Sequence, residues 1–435
     1  MNDLNIKQLD LAILSDGTAG NKIRDVNELR KQVNEIISTT PVFDLHTHLY
    51  APEFGDLNLF GIDELLNYHY LIAELFRFSD ITPEEFWRLE KTKQADLIWQ
   101  TLFVENTPLS EATRGVIAVL STLGLNTRAE DLREAREFFA AQQPKNYLER
   151  VLDIACVSDI VMTNDPLDEA EIKVWQSGDE KIDSRFHAAL RLDRLLNGWI
   201  EAVPLINKQN YTVQTKIDEK TINETRRFLD DWIAQMKPLY LGVSLPDDFA
   251  YTEESPRGKL LKEAVLPTCK EHGISLALMI GVRRKVNPAL KLAGDGLGRA
   301  DVSVVSRICA ENPEVKFLVT FLSRENQHEL CVVARKFANL MPFGCWWFLN
   351  NSSIIAEITR ERFEMLGTSF IPQHSDARIL DQLIYKWNHS RRAIADALFE
   401  SYAALLHDGR RMTKQEIERD AEKLFSGNFR SWVAK

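Results

Sequence analysis

The sequence predicts an α/β fold, a (β/α)8 TIM-type barrel with a large helical insertion after its first strand. Three observations predict it. Eight short apolar, β-branched or aromatic runs recur along the 435 residues. Helical patterns such as ETRRFLDDWIAQM and ENQHELCVVARKFANL lie between most of them. Residues 50–158, between the first run and the second, are mostly helical in pattern.

In order, the runs are PVFDLHTHL (41–49), DIVMTN (159–164), RFHAALRL (185–192), LYLGVSL (239–245), ISLALMI (274–280), KFLVTFL (316–322), LMPFGCWWF (340–348) and TSFIPQHSD (368–376). They are apolar almost throughout, as strands covered on both faces are. Eight strands alternating with helices is the pattern of a closed parallel barrel. The chain then divides into 1–50, an N-terminal helix and the first strand; 51–150, the helical insertion; and 151–435, the rest of the barrel. Within the insertion, Thr82-Pro83-Glu84-Glu85 reads as a helix start, with threonine as cap, proline at the first position and Glu85 closing a capping box. An insertion after the first strand sits on the C-terminal face of a barrel, over the usual active site. Its expected role is to cover the pocket.

Composition narrows the function classes. Hydrophobic residues make up 45% and charged residues 27%, which excludes a disordered chain. The net charge of −11 comes without a long basic run, so neither nucleic acid nor a membrane surface is an expected partner. Five cysteines (Cys156, Cys269, Cys309, Cys331 and Cys345) form no CxxC pair, as expected of reduced, buried thiols. The N-terminus MNDLNIKQLD lacks a basic segment leading into an apolar stretch, and no apolar run reaches 18 residues. The expected location is the cytoplasm.

His46 and His48 end the first strand. Alternate strand residues project to one side, so both imidazoles can converge on one divalent ion, zinc being well suited to them. The alternative is two histidines in packing roles. Asp376 ends the eighth run, the neighbour of the first in a closed barrel, and can complete a His/His/Asp set; it can equally cap the following helix. Arg191, near the end of the third run, and Arg378, two residues past Asp376, can dock a carboxylate in a bidentate fashion, although Arg191 serves equally well as partner of a local acid such as Asp193. His69 and Tyr70 lie in NYHYLIAELF, where Tyr68, Leu71, Ile72 and Leu75 mark an apolar helix face. Trp346 sits in a tryptophan-rich strand end that either lines a mouth or packs a core. The fourth, fifth and sixth runs offer no further histidine, and Met279 stands in the fifth. A single metal ion follows. No GxGxxG follows a strand, so no nucleotide or redox cofactor is expected.

Read together, DLHTHL, YHY before a helix, MTNDPLD, HAALRLD, IG before VRRKVNP, FGCWWFLNN and HSDAR resemble the uronate (glucuronate) isomerases of the amidohydrolase superfamily. The resemblance implies one divalent metal, commonly zinc, held by His46, His48 and Asp376. It implies interconversion of D-glucuronate with D-fructuronate and of D-galacturonate with D-tagaturonate. Asp376 then serves as base, Tyr70 and His69 enter the active site, and Arg191, Arg378 and Trp346 contact a small uronic acid. Many members carry histidine where this chain has Met279, which marks a divergent branch. The oligomeric state is left open, a homo-oligomer included. A metal-dependent hydrolase on the same barrel is the competing reading.

Overall fold

The computed structural model describes residues 22–23, 25–177, 182–252 and 254–434. The N-terminal stretch read above, MNDLNIKQLD, lies outside them. The strands are β1 (Val42–Thr47), β2 (Val157–Asn164), β3 (Phe186–Arg191), β4 (Tyr240–Pro246), β5 (Ser275–Arg283), β6 (Gly296–Leu297), β7 (Phe317–Phe321) and β8 (Leu340–Pro342). Their order is β1-β2-β3-β4-β5-β7-β8, all parallel, with the short β6 antiparallel against the end of β5. This is a (β/α)8 TIM-type sheet. In β5 every residue but the terminal Arg283 is buried, as its unbroken apolar run requires.

One strand departs from expectation. The run 368–376 pairs with the sheet only through a single bridge at Ile371, opposite Phe343. Pro372 has no N–H to give a ladder, and Asp376 sits at φ 50°, in the left-handed region. Where the ladder stops, one side chain and two isolated backbone bonds take over. Gln373 Oε1 accepts from the Cys345 N–H at 2.6 Å, replacing a backbone rung on the β8 side. On the β1 side, Asp376 N–H donates to His46 O (3.1 Å) and His48 N–H donates to Ala377 O (2.7 Å). The same irregular segment thus ties the His-x-His strand end directly to Asp376.

The barrel interior holds Phe43, Leu45, Val161, Tyr240, Met279 and Leu318. At the strands' N-terminal ends it is plugged by the helix Asn428–Val433, whose Phe429 stands edge-on to Phe43 (5.0 Å) and Tyr240 (6.2 Å). Between β1 and β2 lie helices including Ile62–Leu66, His69–Leu75, Pro83–Arg88, Lys91–Trp99, Glu111–Leu123 and Pro144–Ala155. Thr82 forms the expected reciprocal capping box with Glu85, with Pro83 in the first turn. These helices bury apolar faces in one cluster with the long helix Gln382–His407, each fully buried Phe or Leu contributing about 1.5–3 kcal/mol. Cys269, Cys309, Cys331 and Cys345 are buried, Cys156 is partly exposed, and none is in a disulfide. Among the described residues, no helix is long and apolar enough to cross a membrane.

Candidate active site

β1 carries Asp44 and His46 and leads into His48; its register against β2 shifts between Asp44 and Thr47, and His46 reaches Tyr240 in the barrel interior. Asp44 points back into the framework. Its carboxylate accepts from Trp387 Nε1 (2.8 Å) and from Ser375 N–H (3.0 Å), and burial pushes its pKa up to about 6. These bonds lock the strand end to the segment that carries Asp376.

His46 Nε2 lies 3.7 Å and His48 Nε2 3.4 Å from Asp376 Oδ1. One ligand atom from each residue falls within 4.8 Å of the others. Burial holds both imidazoles below their usual pKa, that of His48 at about 3 with Arg378 adding to the effect. Burial by itself would push the Asp376 carboxyl up, but its contact with His48 and the charge of Lys386 hold it well below the ordinary range. All three groups are therefore in the deprotonated state that binds a cation.

The set fits a metal on an independent ground. His46 Nδ1 is 3.2 Å from the Tyr240 hydroxyl, and that hydroxyl donates to Leu45 O at 2.8 Å. Two oxygens that close repel unless a proton lies between them, so the Tyr240 proton is committed. His46 must then donate from Nδ1, which leaves Nε2 as a bare lone pair. It faces Asp376 Oδ1, which is buried and accepts no hydrogen bond. Two acceptors turned toward each other need a cation. Two ligands ~2.1 Å from a tetrahedral zinc lie ~3.4 Å apart, close to the separations found here.

Around this centre, buried polar atoms lack partners: His69 Nε2, Tyr70 Oη, Trp347 Nε1 and both ring nitrogens of His374. Native interiors seldom leave such atoms orphaned, and these are free to hydrogen-bond a polar ligand. The helix His69–Leu75 presents His69 edge-on to Trp347 (5.8 Å), while Tyr70 stacks on Phe348 (6.0 Å). His69 and Tyr70 both lie close enough to Asp376 to feel its charge. Trp346 is 3% exposed among the barrel-interior side chains, and its neighbour Trp347 is the indole turned to His69. Gly344, at φ 65°, has no room for a Cβ, which would fall 1.8 Å from His374 Nδ1.

The two arginines differ. Arg191 is held by Asp193 through Nε–Oδ2 and Nη2–Oδ1 contacts, both 3.1 Å. Asp193 in turn accepts from the Ser244 N–H of β4 at 3.3 Å. Of the two roles open to Arg191, pairing with Asp193 is therefore realised, and substrate contact would be added to it. Arg378 has no ion-pair partner among the described residues.

Two residues escaped sequence reasoning. Lys386 is 2% exposed, and its ammonium donates to Ser375 O at 2.7 Å, beside Asp376. Its signal was a lone lysine between Tyr385 and Trp387 in an otherwise buried helix face. Tyr240 carried no signal, being one aromatic in an apolar strand.

No family model matches the chain, and no curated protein does. Solved structures match over nearly their whole length. A uronate isomerase from Bacillus halodurans C-125 shares 51% identity, with TM-score 0.92 and coverage of 94% of this chain and 97% of that one. A uronate isomerase from Thermotoga maritima (14% identity, TM-score 0.77, 93% and 97% covered) shares the fold. So does a glucuronate isomerase from Caulobacter crescentus (14%, TM-score 0.74, 95% of each chain). Half of all positions identical across almost the full length of the first of these is a family relationship, and the chain belongs to the uronate isomerases.

Proposed function

We propose that this chain interconverts D-glucuronate with D-fructuronate, and D-galacturonate with D-tagaturonate, by moving a proton from C2 to C1. The observation that carries the reading is Arg378, without an ion-pair partner among the described residues, near the His46–His48–Asp376 group and buried polar atoms that lack partners. An anionic, polyhydroxylated substrate satisfies all of them. His46, His48 and Asp376 would hold one divalent ion, for which zinc is our choice. Such an ion polarises or orients substrate oxygens.

The chain's own residues account for the rest. Arg378, with Arg191 beside Asp193, holds the substrate carboxylate in register. Asp376, kept ionised, takes the proton from C2. The C2–H electron pair becomes the C1–C2 double bond of a cis-enediol, and O1 gains a proton. Return of the first proton to C1, with loss of the O2 proton, leaves the C2 ketone. Tyr70, whose pKa burial pushes well up, keeps its proton and donates to an oxygen where charge develops. His69 stays neutral at the same wall, and Trp346 stiffens the strand end behind it. The helices of 51–150 cover the site and keep water from the enediol.

The charge of the substrate tests this directly. Metal-loaded protein should convert D-glucuronate and leave D-glucose essentially untouched, read as ketose formation by carbon NMR. Equal turnover of the two would overturn the role given to the arginines.

A further inference from the structure

We infer that Tyr240 is a positioning residue, which fixes the tautomer and ring orientation of His46 and so sets how tightly the site holds its metal. The inference rests on His46 being a ligand. The phenol stands at the start of β4, across the barrel from β1, and is fully buried. Its proton goes to Leu45 O at 2.8 Å, so its oxygen can only accept from His46 Nδ1 at 3.2 Å. Metal-ligating histidines need such a partner on the second nitrogen, since a ring free to spin or to hold its proton on the ligating atom binds poorly.

The barrel is built to hold that phenol still. Gly242, two residues on along the same strand face, has no Cβ; one added there would come 3.1 Å from the Tyr240 ring. Below, Phe429 stands edge-on to the ring at 6.2 Å. Phe429 belongs to the helix plugging the barrel, which is tied on by Lys316 Nζ donating to Trp432 O (3.0 Å) and by Asn428 Nδ2 donating to Thr368 O (2.7 Å) and Phe370 O (2.8 Å). A chain of contacts thus runs from the C-terminal helix through Tyr240 to His46. The carboxy-terminal segment supports the metal site without touching it.

Tyr240→Phe removes one oxygen and keeps the ring. Zinc affinity, measured by competition with a chromophoric chelator, should fall about 10- to 100-fold with the melting temperature of the metal-free protein nearly unchanged. His46→Ala in the same assay should weaken zinc further. If His46→Ala leaves affinity intact, the ligand assignment fails; if only Tyr240→Phe does, the positioning role fails. Nitrogen-15 NMR of metal-free wild type, labelled at histidine, provides a second reading that needs no variant to fold. His46 should appear as the Nδ1–H tautomer, and an Nε2–H tautomer would overturn the inference.

Discussion

In the proposed reaction Arg191 and Arg378 both face the substrate carboxylate, yet removing them should have different consequences for the fold. Arg191→Met strands Asp193, whose side chain is 12% exposed, while Arg191 itself is 26% exposed. Breaking a fully buried pair costs about 3–5 kcal/mol and a surface pair about 0–1, so this intermediate one should cost about 2–3 kcal/mol. Arg378→Met leaves no carboxylate behind and should change stability by less than about 0.5 kcal/mol. Either change should weaken uronate binding by about 2–5 kcal/mol, roughly 30- to 4,000-fold, the charged contact being lost at a desolvated site. The assay is urea denaturation of the metal-free proteins, with Asp193→Asn and the double variant completing a cycle. A coupling of at least about 1 kcal/mol between Arg191 and Asp193 is expected. Equal destabilisation by Arg191→Met and Arg378→Met, or a coupling near zero, would refute the idea that Arg191 is held in place by Asp193.

Other outcomes follow from the same geometry. Elemental analysis after reconstitution should give one metal per chain, and His46→Ala or His48→Ala should lower that figure while helix content holds. Gly344→Ala should disrupt the His374 side of the site, seen as lost thermal stability, because its Cβ has no space and its φ is left-handed. Burial pushes Glu171 up to about 7, although Tyr50 Oη (2.8 Å) and Asn164 Nδ2 (2.9 Å) donate to its carboxylate. A raised folded-state pKa gives stability that is present below the unfolded value of 4.5 and lost as pH rises through 7. Between pH 5 and 8, wild type should therefore lose up to about 3 kcal/mol more than Glu171→Gln in parallel denaturation curves.

The sequence made the barrel legible wherever strands are buried on both faces, β5 being the plainest. It misled at the eighth stave. TSFIPQHSD reads as a strand by composition, but Pro372 ends the ladder and the Gln373 side chain takes a rung, which no periodicity reveals. His46, His48 and Asp376 stood out because strand ends in a closed barrel concentrate such groups. Arg191 was ambiguous in the sequence because Asp193 lies two residues away, and the pairing it suggested is present. Tyr240 was hidden, since its role depends on a carbonyl and an imidazole from a strand far away in the chain. Lys386 was visible as a buried-face lysine, yet only the folded chain brings it to Ser375.

In the proposed reaction Asp376, within the His46–His48–Asp376 group, moves the C2 proton of a uronate. The most direct measurement follows metal-loaded wild type and Asp376→Asn, at matched metal occupancy, with D-glucuronate in deuterated water. Wild type should form D-fructuronate and introduce deuterium at C2 of the remaining D-glucuronate, and the variant should lose both by at least ~10²-fold. Near-normal isomerisation by the fully loaded variant, or no ketose from either uronate with wild type, would contradict the account.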